Sequence, residues 1–413
     1  MKFKLTPLEK KWVLYDVANS AFTLLVSTIM PIYFNYLAGR GGLSSVDYLA
    51  YWGYATSLVT ILVAVLGPTL GTLSDLRGRK KRFFLGSVLI GSVSCVVLGF
   101  MQSWLWFLGL FVISKTAYSS SLVFYDAMLP DVPEDSRVDE VSSYGYAWGY
   151  IGSCIPFGVC LVLVLAYESI GISMEAAMVI AFFIIALWWL LGAVPLLRSY
   201  RQIHYVEAQH EPVRDSFRRL GRVFSELGRR PDILFFLLAF FFYIDGVYTV
   251  IDMATAYGTA LGLDTAGLLL ALLVTQVVAF PCSIFFGRLS RKLDAKVILS
   301  VCIAAYFGIA VFAFWLNSLR DFWILAVCVG MFQGTIQAIS RSYYTKIIPA
   351  ERAGEFFGIY DICGKGAAFT GTLLVSAISQ LTGSTNAGVG SLSVMFLLGF
   401  VLFRVAASKR ESM

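Results

Sequence analysis

Charged side chains are scarce in this sequence: Asp, Glu, Lys and Arg make up 14% of its 413 residues, against about 25% in a soluble globular domain. With 58% hydrophobic residues, too little polar surface remains to dissolve a folded chain in water, so the bilayer is its solvent. Histidine is almost missing. The two present, His204 and His210, share one polar loop and leave no histidine for a proton relay inside a membrane. Seven cysteines (Cys95, Cys154, Cys160, Cys282, Cys302, Cys328 and Cys363) lie in apolar stretches without metal-ligand or redox spacing and read as small core residues. The sequence offers no phosphate-binding loop, no nucleophile–base pair and no metal-ligand cluster, which speaks against an enzyme or a nucleotide-driven pump on this chain and leaves no metal or other cofactor to expect. The first apolar run is too long, and lacks a small-residue cleavage site, for a cleavable signal. The net charge of +6 belongs to loops and implies no nucleic-acid partner.

What the sequence has instead is long apolar runs. A span needs about 20 mostly apolar residues, and twelve stretches qualify: 12–38, 49–73, 83–101, 104–129, 141–167, 174–197, 233–260, 264–287, 296–316, 321–347, 355–381 and 386–407. The bases test the topology, because Lys and Arg are retained on the cytoplasmic side during insertion. With the N-terminus inside, 27 of the 32 Lys and Arg fall on inner segments, two (Arg40 and Arg320) on outer loops and three (Lys115, Arg341 and Lys365) within spans. Both termini are therefore expected in the cytoplasm.

Residues 198–231 are the one long polar connection. Within it Val213, Phe217, Leu220, Val223, Phe224 and Leu227 recur at three- and four-residue spacing among arginines, the pattern of an amphipathic helix lying on the inner membrane face. An interfacial linker is preferred over a calmodulin-type partner site. It divides the chain into an N-terminal six-helix bundle (1–197), a linker (198–231) and a C-terminal six-helix bundle (232–413). The halves repeat each other weakly. Gly71-Thr-Leu-Ser-Asp75 has a counterpart in Gly287-Arg-Leu-Ser290-Arg291, and Tyr125-x4-Pro130 has one in Tyr344-x4-Pro349. Internal repeats of this kind mark secondary transporters.

A charge in a membrane core costs at least about 2.5–3.5 kcal/mol, so each one needs a partner, water or a task. Asp16, Lys115, Asp245, Asp252, Arg341, Asp361 and Lys365 fall within the apolar runs. Helical periodicity extends several of them into polar stripes: Asp16, Asn19, Ser20, Thr23 and Ser27 on the first span; Asp245, Tyr248, Thr249 and Asp252 on the seventh; Gln333, Gln337, Arg341 and Tyr344 on the tenth. At 1.5 Å rise per residue, Lys115 and Asp245 come near the midplane, and substrate or proton handling is the reading preferred for both. Asp361 and Lys365, one turn apart, suit a mutual structural or coupling pair. Asp126 and Glu355 lie near span ends and read as structural. Gly145, Gly149 and Gly152 on the fifth span, and Gly358, Gly364 and Gly366 on the eleventh, offer thin faces where helices can approach closely and rock.

The loop Gly71-Thr-Leu-Ser-Asp75-Leu-Arg77-Gly78-Arg79-Lys80-Lys81-Arg82 sets an acid at a helix end against a Gly-Arg pair, a clasp between neighbouring helices. The pattern resembles the signature loop between helices 2 and 3 of the major facilitator superfamily (MFS). Trp12-Val-Leu-Tyr-Asp16-Val-Ala-Asn19-Ser-Ala-Phe22, Val123-Phe-Tyr125-x-Ala-Met-Leu-Pro130, Gly145-x-Ala-Trp-Gly149-Tyr150-x-Gly152, Tyr243-x-Asp245-Gly246-Val247, Gln337-Ala-x-Ser340-Arg341-Ser342 and Gly354-Glu355-Phe-Phe-Gly358 resemble one branch, the autophagy-related vacuolar amino-acid effluxer family and its bacterial relatives. The resemblance covers both halves in order. It implies the twelve-helix MFS fold, an all-α membrane protein of two pseudo-symmetric bundles working by alternating access, with helices 1, 4, 7 and 10 lining a central cavity. It also implies the plasma membrane in a prokaryote, the vacuolar or lysosomal membrane in a eukaryote, and a monomer in the lipid bilayer.

The chain departs from the pattern at two places: the second signature loop has Arg291 where the first has Asp75, and position 126 is Asp where a neutral Asn is expected. Lys115 belongs to none of these motifs. The expected function is export of a small amphiphilic solute such as an amino acid, with protons as the candidate driving ion. Asp16, Asn19, Lys115, Asp245, Asp252, Gln333, Gln337 and Arg341 would serve substrate or proton; Asp75, Gly78 and Arg79 would form a cytoplasmic gate, one-sided because its twin has lost the acid. A lipid, lysolipid or drug exporter and a non-transporting nutrient sensor are the alternatives on the same fold.

Overall fold

The computed structural model describes residues 4–207, 226–260 and 265–411; within these, the side chains at 45, 46, 48, 49, 252, 255, 256, 259, 260, 265, 266, 269, 365–369 and 411 are not described. A backbone in hydrocarbon must satisfy its own polar groups, and the helix does so within one segment. The described residues accordingly form twelve long helices. The first, α1, runs through Pro7–Leu24, a π-helical turn Leu25–Ile29 and Met30–Arg40. It is followed by α2 (Ser45–Ser74), α3 (Lys80–Gly99), α4 (Trp104–Ala127), α5 (Val138–Leu165) and α6 (Met174–Ser199). After the connection come α7 (Pro231–Ala260), α8 (Thr265–Leu289), α9 (Ala295–Phe312), α10 (Leu319–Ile347), α11 (Ala353–Thr382) and α12 (Leu392–Glu411). Among the described residues eleven of them are long and apolar enough to cross a membrane.

Helix ends are set by side chains that satisfy the first free N–H groups. Thr6 and Glu9 make a capping box at the start of α1, and Ser44, Ser173, Asp294 and Ser318 cap α2, α6, α9 and α10. Ile61, Val159, Leu191, Leu270 and Leu397 are each more than half exposed, which water would penalise and lipid does not.

The chain forms two compact units. One comprises 1–132, 148–213 and 351–358; the other comprises 133–147, 214–350 and 359–413. The start of α5 thus groups with the second unit and the start of α11 with the first. In the first unit an aromatic cluster holds α1 to α4: the Trp12 and Tyr125 rings stack at 4.4 Å, and each donates to the other's backbone carbonyl. The second unit has an equivalent cluster in which Phe240 stacks on Tyr360 at 4.0 Å and Phe236 on Tyr344 at 5.5 Å. Close helix contact depends on absent side chains. A Cβ on Gly152 would lie 2.5 Å from Val17 Cγ1, and one on Gly149 would lie 2.9 Å from Ser20 Oγ, so the thin face expected on α5 lies against α1.

Most of the amphipathic stretch 213–227 lies outside the described residues. The part of the connection that is described, up to residue 207, is extended: Val206 pairs with Leu76 in an isolated parallel bridge.

Candidate functional site

In the second unit the polar centre is Asp245 on α7. Its side chain is fully buried. One carboxylate oxygen accepts from the Gly371 backbone N–H at 2.9 Å and from Thr249 Oγ1 at 3.2 Å; the other has no hydrogen-bond partner among the described residues. An N–H in mid-helix is ordinarily committed to the carbonyl four residues earlier, so α11 turns part of its backbone towards the acid. Only glycine permits this: a Cβ at 371 would overlap Thr249 Oγ1 and lie 2.5 Å from Asp245 Oδ1. On α10, Gln337 Nε2 donates to the Gln333 carbonyl at 3.0 Å, while Gln333 Nε2 is buried with no hydrogen-bond partner among the described residues. Tyr243 and Ser340 share a hydrogen bond of 2.6 Å that ties α7 to α10.

In the first unit the stripe on α1 is graded. Asp16 and Asn19 are buried, Ser20 is half-buried, and Thr23 and Ser27 are exposed. Asn19 Nδ2 lies 3.4 Å from Asp16 Oδ1, and its carbonyl oxygen accepts from the Tyr118 hydroxyl at 3.4 Å. The same hydroxyl bonds Thr23 Oγ1 at 2.6 Å, and the half-buried Lys115 sets its ammonium 4.9 Å from the centre of the Tyr118 ring. Tyr118, which the sequence reading did not single out, therefore gathers Asn19, Thr23 and Lys115. Just beyond Thr23 comes the π-helical turn. Such turns inside α-helices are frequent at functional sites, and here Pro31 follows it with no N–H to offer.

The structure distributes the remaining expected residues differently. Arg341 donates from Nε to Ser142 Oγ at 3.0 Å and from its terminal nitrogen to the Ser142 carbonyl at 3.1 Å, with its guanidinium 4.4 Å from the Tyr146 ring centre. It is committed to the start of α5. The side chains of Asp252 and Lys365 lie outside the described residues, and with Lys365 goes the expected pairing with Asp361.

Asp75 is fully buried at the end of α2, and its carboxylate takes the backbone N–H groups of Gly354 and Glu355, the first turn of α11, at 2.8 and 2.9 Å. The positive end of a helix suits an anion there. Its cationic neighbour is not Arg79 but Lys80, whose ammonium lies 3.6 Å from Asp75 Oδ1 and donates to the Ala127 carbonyl at 3.0 Å. Gly78 supplies the turn, at φ +69°. The α2–α11 approach is backbone on backbone: a Cβ on Gly358 would lie 2.6 Å from Pro68 Cα. Burial pushes the Asp75 carboxyl up to about 6, against the pull of Lys80 and the two N–H groups.

The counterpart loop in the second unit corrects the expectation of a one-sided clasp. Arg291 Nε donates to Glu140 Oε1 at 2.6 Å, Lys346 bonds Asp139 Oδ2 at 2.6 Å, and Arg288 reaches the Tyr144 hydroxyl at 3.1 Å. A Cβ on Gly287 would lie 2.5 Å from Ser143 Cβ. The contact persists with its polarity exchanged. Where the first loop supplies the acid and the facing helix supplies N–H groups, the second loop supplies the base and the first turn of α5 supplies the acids.

Comparison with known proteins places these features in a family. The model of the family described as "Vacuole effluxer Atg22 like" matches residues 8–412. An uncharacterised MFS-type transporter, YxiO of Bacillus subtilis (strain 168), is 42% identical over 97% of this chain and 95% of its own length. Autophagy-related protein 22 of Coccidioides immitis (strain RS) is 23% identical over 87% of this chain and 73% of its own. Among solved structures, the MFS transporter FucP in the outward conformation superposes with a TM-score of 0.73 at 15% identity, covering 97% of each chain, a likeness that shows the fold.

Proposed function

The chain belongs to the Atg22-like vacuole effluxer family of MFS-type transporters, and from that premise we propose that it exports a small amphiphilic solute, such as an amino acid, by alternating access coupled to protons. It is a multi-pass membrane transporter and not an enzyme, as its relatives are. The observation that carries the proton reading is Asp245, fully buried in mid-span with one carboxylate oxygen fixed by Gly371 and Thr249 and the other without a hydrogen-bond partner among the described residues. A proton taken up on that second oxygen can be exchanged for the ammonium of a solute.

In the first unit, Lys115 over the Tyr118 ring, beside Asn19 and the exposed hydroxyls of Thr23 and Ser27, supports a role in holding the solute's anionic end. Arg341 is assigned to the contact with α5 rather than to the solute. Asp75 and Arg291 are proposed to fasten the base-rich, cytoplasmic end of the helices during the part of the cycle in which that end is closed.

Reconstituted Asp245→Asn protein should keep its melting temperature and lose net transport driven by a pH gradient; gradient-driven transport at the parent rate would overturn the proton role. A thermal-shift screen of amino acids, peptides and lysolipids at two pH values addresses the solute. An amino acid that stabilises the protein at one pH only supports the reading, and stabilisation by lysolipids alone replaces it with a lipid exporter.

A further inference from the structure

The first residues after α6 do more than leave the membrane. Val206 N–H donates to the Asp75 carbonyl at 2.9 Å, and Arg77 N–H donates to the Val206 carbonyl at 3.3 Å. Gln202 Nε2 lies 3.4 Å from the Ser74 carbonyl and 3.3 Å from that of Asp75. These are carbonyls at the end of α2, which the helix itself cannot satisfy. Gln202 Oε1 in turn accepts from the Lys80 N–H at 3.5 Å. The strip 202–206 is thus bonded to both sides of the turn that carries Asp75.

The strip is anchored at a second point. Asp131, whose side chain is fully buried, accepts from both the backbone N–H and the Nδ1 of His204, at 2.9 and 2.8 Å, and its other oxygen accepts from the Tyr200 hydroxyl. Burial and the Asp131 charge hold the Tyr200 hydroxyl well above its ordinary value, so it remains a donor at every working pH. Asp131 follows α4 directly, and Lys80, on the same side, bonds the Ala127 carbonyl. The strip therefore spans from a fixed post at the end of α4 to the backbone of Asp75.

We propose that Gln202 and His204 are positioning residues of the transport cycle: the strip 200–206 holds the Asp75 backbone so that its carboxylate stays aimed at the Gly354 and Glu355 N–H groups. This rests on the reading of that contact as a gate. The physical case is that a turn closed by Gly78 has little stiffness of its own, whereas the carboxylate must meet two N–H groups at once. Fixing the carbonyl of the same residue from the opposite side removes the freedom that would spoil this alignment. Any pull on the strip reaches Asp75 through Val206.

The test is hydrogen exchange on the full-length protein, read at the peptide covering 351–358. Gln202→Glu keeps size but replaces the donor with an acceptor, and His204→Ala removes the Nδ1 contact. Each should speed exchange at the Gly354 and Glu355 amides about threefold to tenfold, the effect of losing one hydrogen bond, in the same direction as Asp75→Asn. His204→Asn, which restores a side-chain donor to Asp131, should return exchange towards the parent rate. Faster exchange confined to 200–206, with 351–358 unchanged while Asp75→Asn alters it, overturns the proposal. The gate reading fails separately: Asp75→Asn would then raise exchange at 351–358 and leave transport untouched.

Discussion

Gly371 leaves no room for a side chain. Any side chain there strikes Thr249 and Asp245, so Gly371→Ala should lower stability by about 1–3 kcal/mol and abolish transport, as thermal unfolding and proteoliposome flux would show together. Asp245→Asn, by contrast, should remain as stable as the parent. At Asp75 the prediction concerns pH. Its carboxyl, pushed up to about 6, holds a proton in the folded state that it has already released when unfolded. Its contribution to stability is therefore full below about pH 4 and is lost as pH rises through about 6, a change of roughly 3 kcal/mol. Lys80, Glu355 and the N–H groups of Gly354 and Glu355 face it, and the Asp75→Asn variant isolates its share. The parent's melting temperature relative to the variant's should fall across that window; a flat difference contradicts the assignment. Asp245 and Lys115 were legible in the sequence because a charge in an apolar run is costly enough to be noticed. Lys80 was not, being one of several consecutive bases, and nothing about one glycine among several on α11 announces the carboxylate that its N–H meets.

Between elements, the informative pair is Arg291 of the α8–α9 loop and Glu140 of α5. Arg291→Glu alone should weaken the attachment of α5, and the double exchange with Glu140→Arg should recover it. Because the Arg291 side chain is 39% exposed, the coupling energy is expected near 0.5–1 kcal/mol, measurable by a double-mutant cycle of melting temperatures. No recovery in the double variant would reduce the pair to an incidental contact. The twelve apolar runs, their order and the two repeated loops could be read from composition and spacing, because burial in lipid leaves long unbroken signals. The exchange of polarity between the loops could not, since it depends on which side chains on a distant helix face each loop. The π-helical turn in α1 was equally hidden: Leu25–Ile29 is as apolar as its surroundings, and only the neighbouring Pro31 hints at irregular bonding.

For the whole molecule, the concentration of Lys and Arg on one set of loops predicts that this end lies in the cytoplasm. In a background without native cysteines, Gly42→Cys should react with an impermeant thiol reagent applied outside intact cells, and Ile203→Cys, at a position 62% exposed, only after permeabilisation. The reverse pattern would invert the orientation. The superfamily fold followed from repeats and resemblance, whereas the grouping of the start of α5 with the second unit and of α11 with the first had no trace in the sequence. The unequal construction of the two fastenings has a consequence for ionic strength. Asp75 and Lys80 are shielded from solvent altogether, while Arg291 and Lys346 are partly open to it. Dissolved ions screen open pairs and scarcely reach enclosed ones, so rising salt should loosen the Arg291–Glu140 and Lys346–Asp139 pairs while the Asp75 contact stays as it is.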